Sequence, residues 1–506
     1  MTNYTNIKPI ESRIPAERQS AKRHYGVHPY FTRRPHNVVR KYILHYSREN
    51  DIILDPFGGS GVTAIESFLE NRVGIHNDIN PLANFIARSI VDLSKGNLSD
   101  YKKALIQIEN SCKNELLKIE SSNNTVLNEI FKSIELPPNI TLPRTSDVEY
   151  YYDLFTKRQL LSLAILKNEI DKIVDTWSRN AMLLAWSATL AKLNKTFLSA
   201  RGRSESRGGS SIFSIYRYKI AKSPVELPPW EIFHDRALNI LSAKEEIDNA
   251  IELKKRTNGW NGQFEEYSLD IEELSQKFQG KIDYIFTDPP YGGHISYIDL
   301  STLWNSWLGL TPSVETRKKE LIVGGELKLT EEDYMNRLYK SIRQCLQMLK
   351  PDRWLSVVFQ HWNIEYFKAI LSGARDEGGQ LKAAISQVGD PIWSMHKKKN
   401  KESVLSGEMI LTFFKSHKSI VPDQKNGFDI IAATKKILKN TGSNLIYGEY
   451  LFNQLVIEAW KTSSIENLNI NKNTLMEILN DFGWRYDPQK HYWTKKKRIE
   501  YSLFDL

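Results

Sequence analysis

Apolar positions change period several times along these 506 residues, and the changes mark out an architecture. Residues 1–30 are polar and basic (Arg13, Arg18, Lys22, Arg23) and read as an arm. Pro35 then opens a segment with Val38, Val39, Tyr42 and Ile43 at helical spacing, which predicts a helix over 36–46. The short apolar run Ile52-Ile-Leu54 predicts a buried strand over 51–54. Gly58 to Gly61 turns the chain into a helix over 62–69, a second strand follows at 73–75, and Pro81 starts another helix. Strand, glycine turn, helix, strand and acid open a doubly wound α/β domain.

From 97 to 260 the pattern is almost wholly helical, with helices predicted over 101–120, 156–174 and 178–193. The stretch 196–224 differs, being rich in Gly, Ser and Arg. This segment reads as a helical insertion. The α/β rhythm returns at Phe264, with strands predicted over 267–270, 283–286, 355–359, 383–388 and 408–414. A helix over 331–349 and a turn at 350–352 precede the third of these. The expected fold class is therefore α/β, with a seven-stranded sheet. The tail is mainly helical (430–438, 448–460, 472–482) and suggests a small winged-helix-like appendage. The domain reading is an arm at 1–30, a core at 31–96 and 261–418, an insertion at 97–260 and a C-terminal domain at 419–506.

Length alone argues for two or three domains. The composition is ordinary for a globular protein: 41% hydrophobic and 25% charged. A net charge of +9 suits a polyanionic partner without proving one. The two cysteines, Cys112 and Cys345, form no C-x-x-C or Cys/His cluster, so neither a disulfide framework nor a metal site is expected. The first residues carry no apolar signal region, and no run of 18 apolar residues occurs. A cytoplasmic, nucleoid-associated protein of a bacterial or archaeal cell is the expectation.

Two strings carry candidate chemistry. In Asp55-Pro-Phe-Gly-Gly-Ser-Gly61, Gly59 and Gly61 let backbone amides approach a ligand closely. A phosphate loop would need Gly-Lys-Ser/Thr, which is absent, and the sixth position of a dinucleotide G-x-G-x-x-G falls on Ala64. A carboxylate at Asp55 repels phosphate but suits the ammonium of an amino-acid-bearing cofactor. Asp78, ending the second strand, can accept ribose hydroxyls, and Asp270 can accept from an adenine amine. Each also fits a helix N-cap. The second string is Asp288-Pro-Pro-Tyr291. A base amine is a poor nucleophile because its lone pair is conjugated into the ring. Two acceptors, the Asp288 carboxylate and the Pro289 carbonyl, can hold its N–H groups and turn the lone pair out of the ring plane. Pro289 and Pro290 stiffen the turn and remove competing donors. Tyr291 offers a face on which a base can stack.

With both strings present, the chain resembles the amino-type, S-adenosylmethionine-dependent DNA methyltransferases, which make N6-methyladenine or N4-methylcytosine. Asp55 to Gly61 is similar to that family's D-P-F-x-G-x-G loop, and Asp288 to Tyr291 to its [DNS]-P-P-[YFW] motif. His28-Pro-Tyr-Phe31 with Arg34-Pro-His36 resembles the segment that closes over the methionine moiety, and Asn77-Asp-Ile-Asn-Pro81 the acidic end of the second strand. The resemblance implies a Rossmann-like sheet and S-adenosylmethionine as cofactor. By that resemblance Pro35, His36, Asp55, Phe57, Gly59, Gly61, Asp78 and Asp270 bind the cofactor. Asp288, Pro289, Pro290 and Tyr291 bind and activate a flipped base. Asp at the first clamp position leans towards adenine, implying a site-specific adenine-N6 DNA methyltransferase of restriction-modification or phage defence. N4-cytosine is the alternative base. The order of motifs, with a large insertion between, is similar to the subgroup that carries target recognition there. Double-stranded DNA is the implied partner, with a cognate restriction or defence protein.

Within 192–222, Lys195, Arg201, Arg203, Arg207, Arg217 and Lys219 alternate with Phe197, Phe213, Tyr216 and Tyr218. Cations answer phosphates and aromatics stack on or wedge beside bases, so this loop is the expected DNA-facing element; a solvated charge run is the bland reading. Trp304 and Trp307, at i and i+3, read as core, with a wall of the base pocket as the sharper alternative. A tRNA guanine-N2 methyltransferase also carries D-P-P-Y-G, but usually places an RNA-binding module ahead of the core, and here the core is expected from about residue 28. A non-catalytic subunit is disfavoured by intact Asp55 and Asp288.

Overall fold

The computed structural model describes residues 4–17, 23–198, 209–293, 295–387, 408–416, 427–440, 445–488 and 492–495. Its centre is a seven-stranded sheet of β1 (Ile52–Asp55), β2 (Val73–Asn77), β3 (Gln263–Tyr267), β4 (Ile282–Thr287), β5 (Leu349–Phe359), β6 (Gly379–Ser386) and β7 (Met409–Lys415). The spatial order is β3-β2-β1-β4-β5-β7-β6. The pairs β1–β2, β1–β4 and β2–β3 are parallel, whereas β7 runs antiparallel to both β5 and β6. This is the expected Rossmann-like α/β sheet. Between β1 and β4 the chain reverses its direction of progress across the sheet. In an open α/β sheet, the strand ends at such a switch point form the ligand crevice.

The chain divides into two compact units: Ala16–Tyr334 with Met348–Lys350, and Met1–Pro15 with Met335–Gln347 and Pro351–Leu506. In the first, α1 (His36–Tyr46), α2 (Val62–Leu69) and α3 (Pro81–Asp92) follow the expected pattern closely. All eight residues of α2 and all six of β4 are buried, as strands and helices covered on both faces require. The one charge in β4, Asp283, is held by the Lys350 ammonium (2.7 Å) and the Ile52 amide (3.0 Å).

Among the described residues, five helices of ten residues or more lie between α3 and β3, against three expected: α4 (Leu98–Ser121), α5 (Asn124–Ser133), α6 (Lys157–Asp171), α7 (Thr176–Thr189) and α8 (Pro229–Asn258). The 30-residue α8 has a narrow buried stripe, which leaves little helical pattern in the sequence. Ala237, Ile240, Ala243, Ile247 and Ile251 lie among long charged side chains. Strand β3 lies earlier than the expected 267–270: residues 268–270 already lead into α9 (Ile271–Phe278). The expected turn at 350–352 falls inside β5, where Asp352 alone takes a left-handed φ of 57°.

In the second unit, α11 (Glu331–Met348), most of which belongs here, and α12 (Ile364–Arg375) accompany β5 to β7. The chain then runs through α13 (Ile430–Asn440), β8 (Leu445–Ile446), α14 (Gly448–Lys461), α15 (Lys472–Asp481), β9 (Trp484–Asp487) and β10 (Tyr492–Lys495). The last three strands form an antiparallel sheet in the order β8-β10-β9. Phe452 of α14 packs against Trp362 (5.3 Å between rings) and Phe367 (6.1 Å), and Asn453 donates to Ser386 Oγ (3.1 Å). Both cysteines are buried free thiols. Among the described residues no helix is long and apolar enough to cross a membrane.

Candidate active site

The site is built where β1, β2 and β4 end. Asp55 closes β1 and turns inward, buried. Its Oδ1 accepts from Thr287 Oγ1 (2.8 Å) and the Phe57 amide (3.1 Å), and its Oδ2 from Thr63 Oγ1 (2.9 Å). Thr287 is the last residue of β4 and immediately precedes Asp288. Asp55 and Thr287, 232 residues apart, thus link the first motif to the residue that leads into the second. Burial raises the Asp55 carboxyl to about 7, against the pull of its three donors.

Gly59 and Gly61 both take left-handed backbone, φ 51° and 84°. At Gly61 a Cβ would lie 2.6 Å from the Ala87 Cβ of α3, so this glycine lets loop and helix meet. At Gly59 the nearest atom would be Tyr30 Cε1 at 3.4 Å, ordinary contact. Asp78 braces the loop from β2. It accepts the Gly59 amide on Oδ2 and the Asn80 amide on Oδ1, both at 2.8 Å, and burial raises it to about 6. Phe57 is half-buried beside the turn. Pro35 is the N-cap residue of α1, and His36 is buried with its ring stacked on Tyr25 (6.0 Å). Asp270 is the N-cap of α9. It accepts from the Glu272 and Glu273 amides, both at 2.9 Å, and pairs with Lys319. Although partial burial opposes it, the lysine and the two amides hold this carboxyl below its usual range.

The clamp follows β4 directly. Asp288 accepts on Oδ1 from the Tyr291 hydroxyl and on Oδ2 from Arg34 Nε. Arg34 Nη2 donates to the Tyr291 hydroxyl (2.7 Å), and the guanidinium carbon lies 5.6 Å from the centre of the Tyr291 ring. Tyr334 donates to the Pro290 carbonyl (2.6 Å) and pins the turn. The helix after the clamp, α10 (Tyr297–Leu308), adds Tyr297, whose ring lies 6.3 Å from Tyr30 and whose hydroxyl meets Thr32 Oγ1 at 3.2 Å. Burial raises the Tyr297 phenol, with Asp288 contributing, and raises Tyr216 to about 12, with Arg34 opposing. Buried Glu320 receives the Ile298 amide (3.1 Å) and is pushed up to about 8 by burial, with Asp299 and Asp78 adding to the rise.

Tyr30 and Arg34 were legible only as parts of a resembling string, and Tyr297 and Glu320 carried no sequence signal. Tyr297 opens α10 and Glu320 lies in the chain beyond it, neither within a motif. Trp304 and Trp307 are both buried. Trp304 donates to the Ser187 carbonyl (3.0 Å), and Trp307 meets Trp186 edge-on (5.6 Å). Of the basic loop, Lys195 is half-buried, while Arg217 and Lys219 are exposed on either side of buried Tyr218. Arg217 pairs with Asp147 (2.8 Å). Arg201, Arg203 and Arg207 lie outside the described residues. Among the described residues no group of three or more His, Cys, Asp or Glu side chains could hold a metal ion.

A DNA methylase family of the N6/N4 type matches residues 4–87, which include the strap, the Gly loop and Asp78. Over those residues the chain is similar to the amino-type DNA methyltransferase family. The methyl donor of this family is S-adenosylmethionine. Type II methyltransferase M.MjaII of Methanocaldococcus jannaschii is 25% identical over 331 residues, covering 56% of this chain and 62% of that protein. Type II methyltransferase M.MvaI of Kocuria varians is 21% identical over 286 residues, covering 54% and 55%. The chain thus spans less than two thirds of either relative.

Proposed function

We propose that this chain transfers a methyl group from S-adenosylmethionine to the N6 amine of an adenine flipped out of duplex DNA. One observation carries the reading: the Thr287–Asp55 hydrogen bond fixes the Asp288 clamp to the Gly loop, so two motifs of matching chemistry share one crevice. The family match favours DNA over tRNA as the substrate.

The residues present fit the cofactor. Gly59 has room beside Tyr30 for a ligand to approach its backbone, and Asp78 stands half-exposed at the β2 end with lone pairs left for ribose hydroxyls. Gly59, Gly61, Phe57 and Asp78 would hold it, with Pro35 and His36 in the strap and Asp270 on the adenine side. Asp55 acts as the brace behind the loop. Bound there, S-adenosylmethionine supplies an electrophilic methyl group.

The chain's own part is positioning and electrostatics. The Asp288 carboxylate and the Pro289 carbonyl accept the two N–H bonds of the amine, freeing its lone pair, and the base stacks on Tyr291. The proton shed by the methylated nitrogen can pass to Asp288. Asp at this position favours adenine by family resemblance, although cytosine N4 offers the same pair of N–H bonds. A type II restriction-modification role follows the relatives' printed names and is proposed on that basis. The insertion, with Arg217 and Lys219, is proposed to read the DNA.

The test is incubation of unmethylated duplex DNA with labelled S-adenosylmethionine, followed by mass spectrometry of the nucleosides. N6-methyladenine is expected. N4-methylcytosine would keep the mechanism and change the base; label in tRNA alone would reject a DNA substrate. Asp288→Ala is expected to lower turnover by at least about a thousandfold with the circular dichroism spectrum unchanged. Turnover like that of the wild type would remove Asp288 from the mechanism.

A further inference from the structure

The clamp is engaged by the protein itself. Arg34 presents a planar, N–H-bearing group to Asp288 Oδ2 and to the Tyr291 hydroxyl, at 5.6 Å from the Tyr291 ring centre. A base amine must meet the same carboxylate, and a base must lie against the same ring. The pair is only partly exposed, 14% for Arg34 and 20% for Asp288, so the contact is shielded yet reachable.

Its neighbour behaves differently. Arg33 donates to Ser60 Oγ of the Gly loop (3.0 Å) and to the carbonyls of Tyr25 and His28. That side chain locks the strap to the core. Arg34, next in sequence and just before the N-cap Pro35, projects to the clamp from a backbone held on both sides. Movement of its side chain withdraws the donor on Asp288 Oδ2, while the Tyr291 hydroxyl remains on Oδ1.

We propose that Arg34 is a gate: an internal stand-in for the target base that closes the clamp until a flipped, amine-bearing base displaces it. This rests on the methyltransferase reading for the identity of the base. The guanidinium supplies what the amine supplies, N–H donors to Asp288, and a flat cation against the ring that the base would cover. A competitor built into the protein lowers apparent affinity by the fraction of molecules in the open state. If the open state is about one tenth of the population, removing the gate tightens base capture about tenfold. Bases that cannot offer N–H donors to Asp288 gain less, because they cannot replace the contact Arg34 gives up. The gate therefore adds discrimination on top of whatever the DNA-reading surface provides.

The test needs no turnover and no recognition sequence. Single-stranded oligonucleotides of dA, of dC and of abasic sites, equal in length, are titrated against the full chain by fluorescence anisotropy. The ratio of base-bearing to abasic affinity cancels the phosphate contacts that any arginine substitution weakens. In Arg34→Ala this ratio is expected to rise about tenfold for at least one of dA and dC. In Arg34→Lys, which keeps the charge but loses the planar fork, it is expected to rise by a smaller factor, and this variant serves if the alanine protein does not fold. An unchanged ratio in the folded variant overturns the gate. A fallen ratio also overturns it and makes Arg34 a contact of the bound base. Methyl transfer by the wild type, measured separately, tests the enzyme reading by itself.

Discussion

Asp78 holds the amides of Gly59 and Asn80, and burial raises its carboxyl to about 6 from an ordinary value near 3.8. A carboxylate accepts ribose hydroxyls better ionised than protonated. Cofactor affinity is therefore expected to be level above pH 7 and to fall as pH drops through 6, approaching about tenfold per unit. Calorimetric titration of S-adenosylmethionine from pH 5 to 8 checks this, and Asp78→Asn should weaken binding at pH 8 and flatten the acid limb. In the free protein the same raised value works the other way: stability from this group is complete below about 4 and is lost as pH rises through 6. The residue types at the site were legible because motif spacing reports backbone geometry. What Asp55 touches was not. An ammonium partner was expected from charge, whereas the structure surrounds that carboxylate with Thr63, Thr287 and the Phe57 amide. Hydroxyl partners from another strand leave no mark in a local string.

Among the elements, the Gly loop separates packing from binding. Gly61→Ala adds left-handed strain and sets a methyl 2.6 Å from Ala87, so a loss of roughly 2–4 kcal/mol is expected in thermal unfolding. Gly59→Ala meets only Tyr30 at 3.4 Å. About 1 kcal/mol is expected there, with the larger effect on cofactor affinity. Equal stability losses at the two glycines would reject this division. Helices and strands with dense apolar patterns, such as α1, α2 and β4, were legible to within a residue or so. α8 was hidden by its charged exterior, and β3 was displaced because Tyr267-Ser-Leu-Asp270 looks like a strand end but serves as the entry to a capped helix. Edge strand β3 is half-exposed along most of its length, which leaves little apolar pattern to read.

At the scale of the unit Ala16–Tyr334, the insertion and the clamp helix α10 are fastened together. The Tyr218 hydroxyl donates to the Leu300 carbonyl (2.6 Å) and receives the Leu303 amide (3.0 Å), Tyr151 donates to the Leu303 carbonyl (2.6 Å), and Trp304 reaches Ser187. Tyr218→Phe leaves a buried amide and carbonyl without that hydroxyl, and about 1–3 kcal/mol of destabilisation is expected in urea unfolding. If the insertion reads DNA, turnover should fall as well; unchanged stability would show that the hydroxyl bears no weight. The helical character of 97–260 was legible from its period, but how these helices are fastened to α10 was not, because tyrosine hydroxyls reach carbonyls 81 to 152 residues away.

The roots of that insertion lie side by side. A cavity of about 650 Å³ is lined both by Val91 and Lys95, where the chain leaves the sheet layer, and by Trp260, Gly262 and Gln263, where it returns. Strand β3 then pairs with β2 from Val73↔Gln263 onward. A segment that departs and re-enters at one place can be exchanged for another without altering the register of the strands beneath it. If the insertion reads DNA as proposed, trading this one cassette would change the target sequence, with the Tyr218, Tyr151 and Trp304 contacts setting the fit that any replacement must meet.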